Sequence, residues 1–273
     1  MIIAKEFPDK EFATKEELFT SLRENKSLLI AQKKMITKQA DSIFHYVGTE
    51  NEKGEVVKAD FEEQVEITKL KGSLVINTTN LLDSHGDVHL KGIWTKSVKE
   101  QKNILLLQEH KMSFASIISD NVSAKVKKMS WKSLGFDLEG ETEALIFDAE
   151  ISKNRNDFMF NQYAKGYVKE HSIGMRYSKM SLAINSESKW DIEEKETWDK
   201  YYSEIANKEL ADEKGYFWAV TEAKIIEGSA VVKGSNYATP IISIEAVKDT
   251  PKEHKDEPSN DTQTHTLKRR RNI

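Results

Sequence analysis

The chain of 273 residues contains no cysteine. This absence excludes disulfide bonds, thiolate metal sites and a cysteine nucleophile, and leaves serine and threonine as the side chains that a base could activate. No apolar run approaches the roughly eighteen residues that span a bilayer, and residues 1–6 lack the apolar core of a secretory signal. We therefore expect a protein that works in a cytoplasm and has no membrane partner.

Positive charge is not in excess, because 41 Lys and Arg stand against 45 Asp and Glu and the formal net charge is −4. A protein that coats nucleic acid carries a basic footprint, so nucleic acid is not an expected partner. The densest basic run, residues 268–271, lies in the polar stretch 248–273, which has no apolar periodicity. Such a stretch cannot offset its ordering entropy, and we expect a disordered tail there.

The apolar pattern changes near residue 65. Before it, Thr14 and Glu17 form a capping-box pattern ahead of leucines at helical intervals, which predicts a helix over residues 15–39 within an N-terminal extension, 1–64. After it, β-branched and alternating segments predict strands, with a few helices between them, in one domain over 65–247. This pattern indicates an α+β fold rather than a doubly wound sheet.

A charged and aromatic insertion interrupts the predicted domain at residues 185–215. Trp198, Tyr202 and Ile205 fall on one face of a helix, which favours an amphipathic helix packed on the core. The alternative is a helix that docks a partner.

Two short segments carry a base and a nucleophile. His110 ends the apolar run 105–109, and Ser172 lies inside a strand-like segment that follows Gly166, the end of a helical pattern. A serine hydroxyl needs an imidazole within hydrogen-bond reach, and that imidazole needs an orienting partner. Strand alternation places Ser172 and Gly174 on one face and His171 on the other, so His171 is a poor base for Ser172.

Glu227 is the predicted orienting carboxylate, with Glu222 and Asp87 as alternatives. Arg176 could steady an oxyanion, but a structural salt bridge is favoured. The sequence has no Gly-x-Ser-x-Gly elbow, which argues against a standard α/β-hydrolase.

A metal site is not predicted. His85 and His89 are four residues apart, as in helical metal sites, but Gly86 between them argues against a helix and no third ligand is evident. The expectation is a site without a metal or a cofactor.

Four segments occur in an order that resembles the prohead maturation proteases of tailed bacteriophages, serine peptidases related in fold to herpesvirus assemblins. An Asp-x-x-Gly-Asp turn at residues 83–87 is followed by the His110 segment, the Ser172 segment and a Glu-x-Ser strand that leads to Asn236. The resemblance spans about residues 65–247. Gly228 stands where the family has an aliphatic residue between the Glu and the Ser, and the turn at residues 233–236 lacks the usual proline.

The resemblance implies a closed, assemblin-like β-barrel surrounded by helices, and a serine endopeptidase with His110, Ser172 and Glu227 as its catalytic residues. In it, His110 would act as general base toward Ser172 and then as general acid toward the leaving amine. Its substrates would be the major capsid protein, the scaffolding protein and the protease itself, cut inside the assembling prohead in a bacterial cytoplasm, and self-association is a further expectation. The alternative is a non-catalytic capsid-assembly or scaffolding protein that keeps the protease fold.

Overall fold

The structure, a computed structural model, describes residues 1–35, 67–101 and 103–247. Over these residues the chain is α+β, as the sequence predicts. Three predictions fall outside the described residues: the end of the first helix beyond residue 35, the first strand residues at 65–66, and the disordered tail at 248–273. In the described ranges, no helix combines the length and the apolar character needed to cross a membrane.

The secondary structure consists of short helices and of strands that differ widely in length. The α-helices of the described chain are α1 (Lys15–Glu24), α2 (Lys26–Met35), α3 (Thr95–Glu100), α4 (Asp157–Ala164), α5 (Ile192–Tyr201) and α6 (Lys208–Lys214). The strands are β1 (Ile2–Ile3), β2 (Glu11–Phe12), β3 (Lys69–Thr78), β4 (Asp87–His89), β5 (Leu106–Gln108), β6 (Ile117–Ser119), β7 (Val122–Ser130), β8 (Glu141–Ser152), β9 (Glu170–Ile184), β10 (Tyr216–Val231) and β11 (Ile241–Ala246).

The predicted N-terminal helix is two helices. The cap is confirmed, because the Glu17 backbone N–H donates to Thr14 Oγ1 at 3.3 Å. The helix then breaks at Asn25, whose side-chain amide donates to the Ser21 carbonyl at 2.9 Å. Asn favours such local bonds over a continuing helix. Leucines of both helices still join the core, as predicted from their spacing: Leu18, Leu22 and Leu29.

Two sheets carry most of the strands. The site sheet has the order β4-β10-β5-β6, and β9 pairs with the other edge of β10. The back sheet has the order β11-β3-β8-β7. The pairing of β9 with β10 is antiparallel from Glu170↔Val231 to Ile184↔Tyr216, whereas β4 and β5 both run parallel to β10.

Both sheets are open, so the predicted closed barrel is wrong. One edge of β10 is filled by β9, and the other is shared by β4 and β5. Within the described residues, the back sheet ends at β11 and β7, and neither pairs with a strand of the site sheet. Barrel closure needs a pairing between first and last strands, which is a long-range contact that alternation along each strand does not encode.

The two sheets face one another across a close contact at Gly228. A Cβ built on Gly228 would lie 2.5 Å from Phe147 Cε2 and 3.2 Å from Ile76 Cγ2, both in the back sheet. The aliphatic residue expected at this position therefore has no room. Gly228 allows β10 to approach the back sheet more closely than any side chain would permit.

The charged insertion covers the end of the site sheet. Trp198 stacks on Tyr202 at 5.0 Å between ring centroids and packs against Phe217 of β10 at 5.1 Å. Ile205 is buried in the same cluster. The apolar face that the sequence predicts packs on the core, but it is not one helix, because α5 ends at Tyr201 and α6 begins at Lys208.

A buried ion pair attaches α2 to the site sheet. Lys33 Nζ lies 2.6 Å from Asp87 Oδ1 and 3.8 Å from Glu6 Oε1, and Asp87 is fully buried in β4. Burial by itself would lower the pKa of Lys33, but the charges of Asp87 and Glu6 outweigh it and raise the pKa above its ordinary value. Asp87 also accepts a hydrogen bond from the Tyr177 hydroxyl at 2.7 Å.

We predict that Lys33→Met lowers the free energy of unfolding by about 3 kcal/mol, because it leaves the buried Asp87 carboxylate without its cation. Lys34→Met is the matched control, since Lys34 makes no ion pair within the described residues, and its effect should stay within about 0.5 kcal/mol. Urea unfolding followed by circular dichroism measures both. Equal stabilities of the two variants would contradict this account of the α2 contact.

Candidate active site

His110 lies in a tight turn at the end of β5. Glu109 and His110 both have positive φ, 51° and 57°, an uncommon conformation for two consecutive residues that are not glycine. The turn is held by hydrogen bonds from the Glu109 N–H to the Ala230 carbonyl at 2.9 Å and from the Lys111 N–H to the Gln108 carbonyl at 3.0 Å. It directs the imidazole back over the site sheet toward β10.

The imidazole of His110 contacts the carboxylate of Glu227, as the sequence predicts. His110 Nδ1 lies 2.5 Å from Glu227 Oε1, and both side chains are buried. A carboxylate accepts hydrogen bonds, so Nδ1 carries a proton, and in the neutral imidazole Nε2 then carries the lone pair. Nε2 is buried and has no hydrogen-bond partner among the described residues. The imidazole is therefore oriented through one nitrogen and able to accept a proton at the other.

Ser229 joins the same cluster, although no role is predicted for it beyond its place in the Glu-x-Ser strand. Its hydroxyl donates to Glu227 Oε2 at 2.6 Å and accepts from the His110 backbone N–H at 3.1 Å. Strand periodicity is the signal that could have found it, because residues two apart share a face of the sheet. Glu227 and Ser229 thus meet His110 from one face of β10.

Gly174 provides space for the carboxylate. It is the Cα partner of Glu227 on β9, and a Cβ at this position would overlap Glu227 Oε1. Any side chain at Gly174 must therefore displace the carboxylate from its present position. The predicted placement of Gly174 on the face of Ser172 agrees with the register, since Ser172 pairs with Ser229.

Ser172 lies one strand away from the His110–Glu227 pair. It is directly opposite Ser229, and side chains of opposite residues in an antiparallel pair share a face with Cβ atoms about 5 Å apart. Ser172 is 6% exposed, whereas Ser229 is fully buried. Among the described residues the Ser172 hydroxyl makes no hydrogen bond, so the expected bond to His110 is not formed here. The structure thus joins two of the three predicted residues directly and places the third beside them.

His171 points away from the site, as predicted. Its Nε2 lies 3.0 Å from the Tyr163 hydroxyl, and its backbone N–H donates to Thr239 Oγ1 at 3.1 Å. Burial lowers the pKa of His171 to about 4, because the protonated imidazole would be desolvated. His171 is a neutral core residue.

The two alternative carboxylates do not contact His110. Glu222 pairs with Lys179 at 2.7 Å and with Lys96 at 3.4 Å, and these contacts lower its pKa. Asp87 forms its ion pair with Lys33 and lies in β4, which pairs with the start of β10, far along the strand from Glu227. Glu227 is the carboxylate that lies within reach of the imidazole.

Two further candidates take no part in the His110 cluster. Arg176 is exposed and makes no ion pair within the described ranges, so the salt bridge favoured from sequence is absent there. His89 contacts the Asn77 side chain through Nδ1 and the Tyr177 hydroxyl at 3.1 Å through Nε2. In the described residues, no group of three or more His, Asp or Glu side chains is arranged to hold a metal ion.

Two surface clefts lie elsewhere. One, of about 410 Å³, lies between α3 and β10 and includes Lys96 and Glu222. The other, of about 560 Å³, lies on the back sheet and includes Ser73 and Asp148. Neither includes the His110 cluster, so the site is identified by its hydrogen bonds and not by a deep cavity.

His171 should make stability depend on pH. Its folded-state pKa lies near 4, below the value of about 6.5 expected in the unfolded chain, so the unfolded state binds the proton first as the pH falls. Stability should therefore decrease from pH 6.5 toward pH 4, by up to about 1.4 kcal/mol per pH unit from this residue. Urea unfolding across this range should show a shallower dependence for His171→Gln than for wild type. An unchanged slope in His171→Gln would contradict the assignment.

Comparisons with known proteins add no assignment. No protein-family model matches the chain, and no curated protein or solved structure matches it.

Proposed function

We propose that the protein is a serine endopeptidase in which Ser172 is the nucleophile, His110 the general base and Glu227 the orienting carboxylate. The observation that carries the proposal is the buried hydrogen bond between His110 Nδ1 and Glu227 Oε1, which leaves Nε2 without a partner in the described chain. A structural histidine in a protein interior normally has both ring nitrogens satisfied, as His171 and His89 do. An unsatisfied Nε2 on an imidazole that a carboxylate orients is typical of a proton acceptor.

The proposed chemistry is acyl transfer. Ser172 Oγ attacks the peptide carbonyl while His110 Nε2 takes the hydroxyl proton, and Glu227 stabilises the imidazolium that forms. The imidazolium then gives this proton to the leaving amine as the C–N bond breaks. Water hydrolyses the ester on Ser172 by the same route, and the serine regains its proton.

Ser172 is a better nucleophile candidate than Ser229. The Ser229 hydroxyl already donates to Glu227 and is fully buried, so it cannot meet a substrate carbonyl. The Ser172 hydroxyl has no hydrogen bond within the described residues and retains some exposure. The proposal requires Ser172 Oγ and His110 Nε2 to come within hydrogen-bond distance when substrate binds, and catalytic hydrogen bonds are often long in the free enzyme.

A polypeptide substrate is supported by the surface beside the site. Met112 and Phe114 lie two and four residues after His110 in the chain and are 67% and 87% exposed. Such side chains can contact the apolar residues of an extended peptide on either side of the cleaved bond. We propose capsid and scaffolding proteins as the substrates, because the four ordered segments resemble those of prohead maturation proteases.

The test is labelling with a fluorophosphonate probe. We expect native wild-type protein to gain the probe on the peptide that contains Ser172, and Ser172→Ala and heat-denatured wild type to gain none. Ser178→Ala changes an exposed serine of the same strand and should label like wild type. Digestion of a peptide library should yield internal cleavages with wild type and none with Ser172→Ala. A wild-type protein that is folded by circular dichroism but unlabelled would instead support a non-catalytic assembly protein.

The identity of the carboxylate gives a separate prediction. Glu227→Gln should slow labelling strongly yet leave a measurable rate, whereas Ser172→Ala gains no probe, because removing the orienting residue of a triad is less damaging than removing the nucleophile. Glu222→Gln, a change of the same kind on the same strand, should label at the wild-type rate. If Glu222→Gln labelled very slowly while Glu227→Gln labelled at the wild-type rate, the wrong carboxylate would have been assigned.

A further inference from the structure

We infer that Ser229 is a positioning residue that holds the His110–Glu227 pair in its productive arrangement. This inference rests on the proposed function, because the arrangement matters to catalysis only if His110 is the base. The evidence is a ring of hydrogen bonds that begins and ends on one residue. The His110 backbone N–H donates to Ser229 Oγ, Ser229 Oγ–H donates to Glu227 Oε2, and His110 Nδ1–H donates to Glu227 Oε1.

The ring fixes the His110 backbone. Glu109 and His110 both adopt the left-handed conformation, which residues with a side chain visit only when the surroundings hold them there. The backbone N–H of Glu109 donates to the carbonyl of Ala230, the residue after Ser229 on β10. The His110 N–H is bound by the Ser229 hydroxyl at 3.1 Å. Consecutive residues of β10 therefore hold consecutive residues of the turn.

The ring also fixes the carboxylate. Glu227 is buried, and its two oxygens have different partners, His110 for Oε1 and Ser229 for Oε2. Without the hydroxyl, Oε2 would lose the short bond that sets the rotation of the carboxylate about its last torsion. Oε1 would then no longer be held in line with Nδ1, and Nε2 would move relative to Ser172.

The position of Ser229 in the sheet explains why its hydroxyl can act on both the His110 backbone and the Glu227 carboxylate. Ser229 pairs with Leu107 of β5 on one side and with Ser172 of β9 on the other. It is therefore the β10 residue between the strand that leads to the base and the strand that carries the nucleophile. Its hydroxyl acts on the base through the His110 N–H and through Glu227, without contacting substrate.

The experiment compares Ser229→Ala with Ser119→Ala, which removes another buried hydroxyl, one that donates to the Glu150 carbonyl at 2.6 Å and accepts from the Asn121 N–H at 3.2 Å. Two readouts are taken from each protein: the rate of fluorophosphonate labelling and the downfield NMR signal of the His110 Nδ1 proton. We expect Ser229→Ala to label about tenfold to a hundredfold more slowly and to lose the slowly exchanging Nδ1 signal. Ser119→Ala should keep both.

A double variant separates positioning from general structural support. If Ser229 acts through Glu227, then Ser229→Ala should slow labelling much less in a Glu227→Gln background than in wild type. Additive losses in the double variant would overturn the inference. Ser229→Cys, close in size but a weaker donor, serves if Ser229→Ala does not fold, and it should show a smaller loss in the same two readouts.

The outcomes distinguish this inference from the proposed function. Unlabelled but folded wild type would overturn the function, while the Nδ1 signal would still decide whether Ser229 orders the pair. Labelled wild type with a Ser229→Ala protein that keeps both its rate and its Nδ1 signal would overturn the inference and leave the function standing.

Discussion

The buried carboxylate of Glu227 is the constraint on which the rest of the site depends. A carboxylate removed from water must be hydrogen-bonded, or its burial costs several kcal/mol. Here the partners are the imidazole of His110 and the hydroxyl of Ser229, and Gly174 leaves the space that the carboxylate occupies. The unusual turn at the end of β5 follows from this requirement, because it brings the imidazole to the carboxylate.

The strand β10 carries Glu227 and holds the neighbouring strands in register around it. It pairs with β9 along one edge and with β4 and β5 along the other, so three separate parts of the chain are registered against it. Its two faces have different functions. One face approaches the back sheet so closely at Gly228 that a Cβ would collide with Phe147, while the other carries Glu227 and Ser229. The rigid contact on the first face keeps the site on the second in place.

Local sequence patterns predict the parts of this arrangement that depend on alternation and residue chemistry. They place Ser172 and Gly174 on one face of β9 and exclude His171 as the base. The choice of Glu227 as the partner of His110 depends also on the resemblance, and from the sequence Glu222 and Asp87 remain alternatives. The patterns do not predict the break at Asn25, because leucine spacing continues across it. The closed barrel was inferred from resemblance, and the open sheets show that four similar segments do not determine how distant strands pair. The role of Ser229 is not predicted, because one of its two partners is the backbone N–H of His110, in a turn more than a hundred residues away in the chain.

The relation between Ser172 and His110 is the test of the proposed mechanism, since β5 and β9 pair with opposite edges of β10 and the two side chains share no hydrogen bond within the described residues. A crystal structure of the fluorophosphonate-treated protein measures that relation directly. The account predicts phosphorus bonded to Ser172 Oγ, with His110 Nε2 within about 3 Å of an adduct oxygen and the bonds of Glu227 to His110 and Ser229 intact. An adduct on another residue, or an adduct on Ser172 with the His110 imidazole turned away from it, would contradict the account.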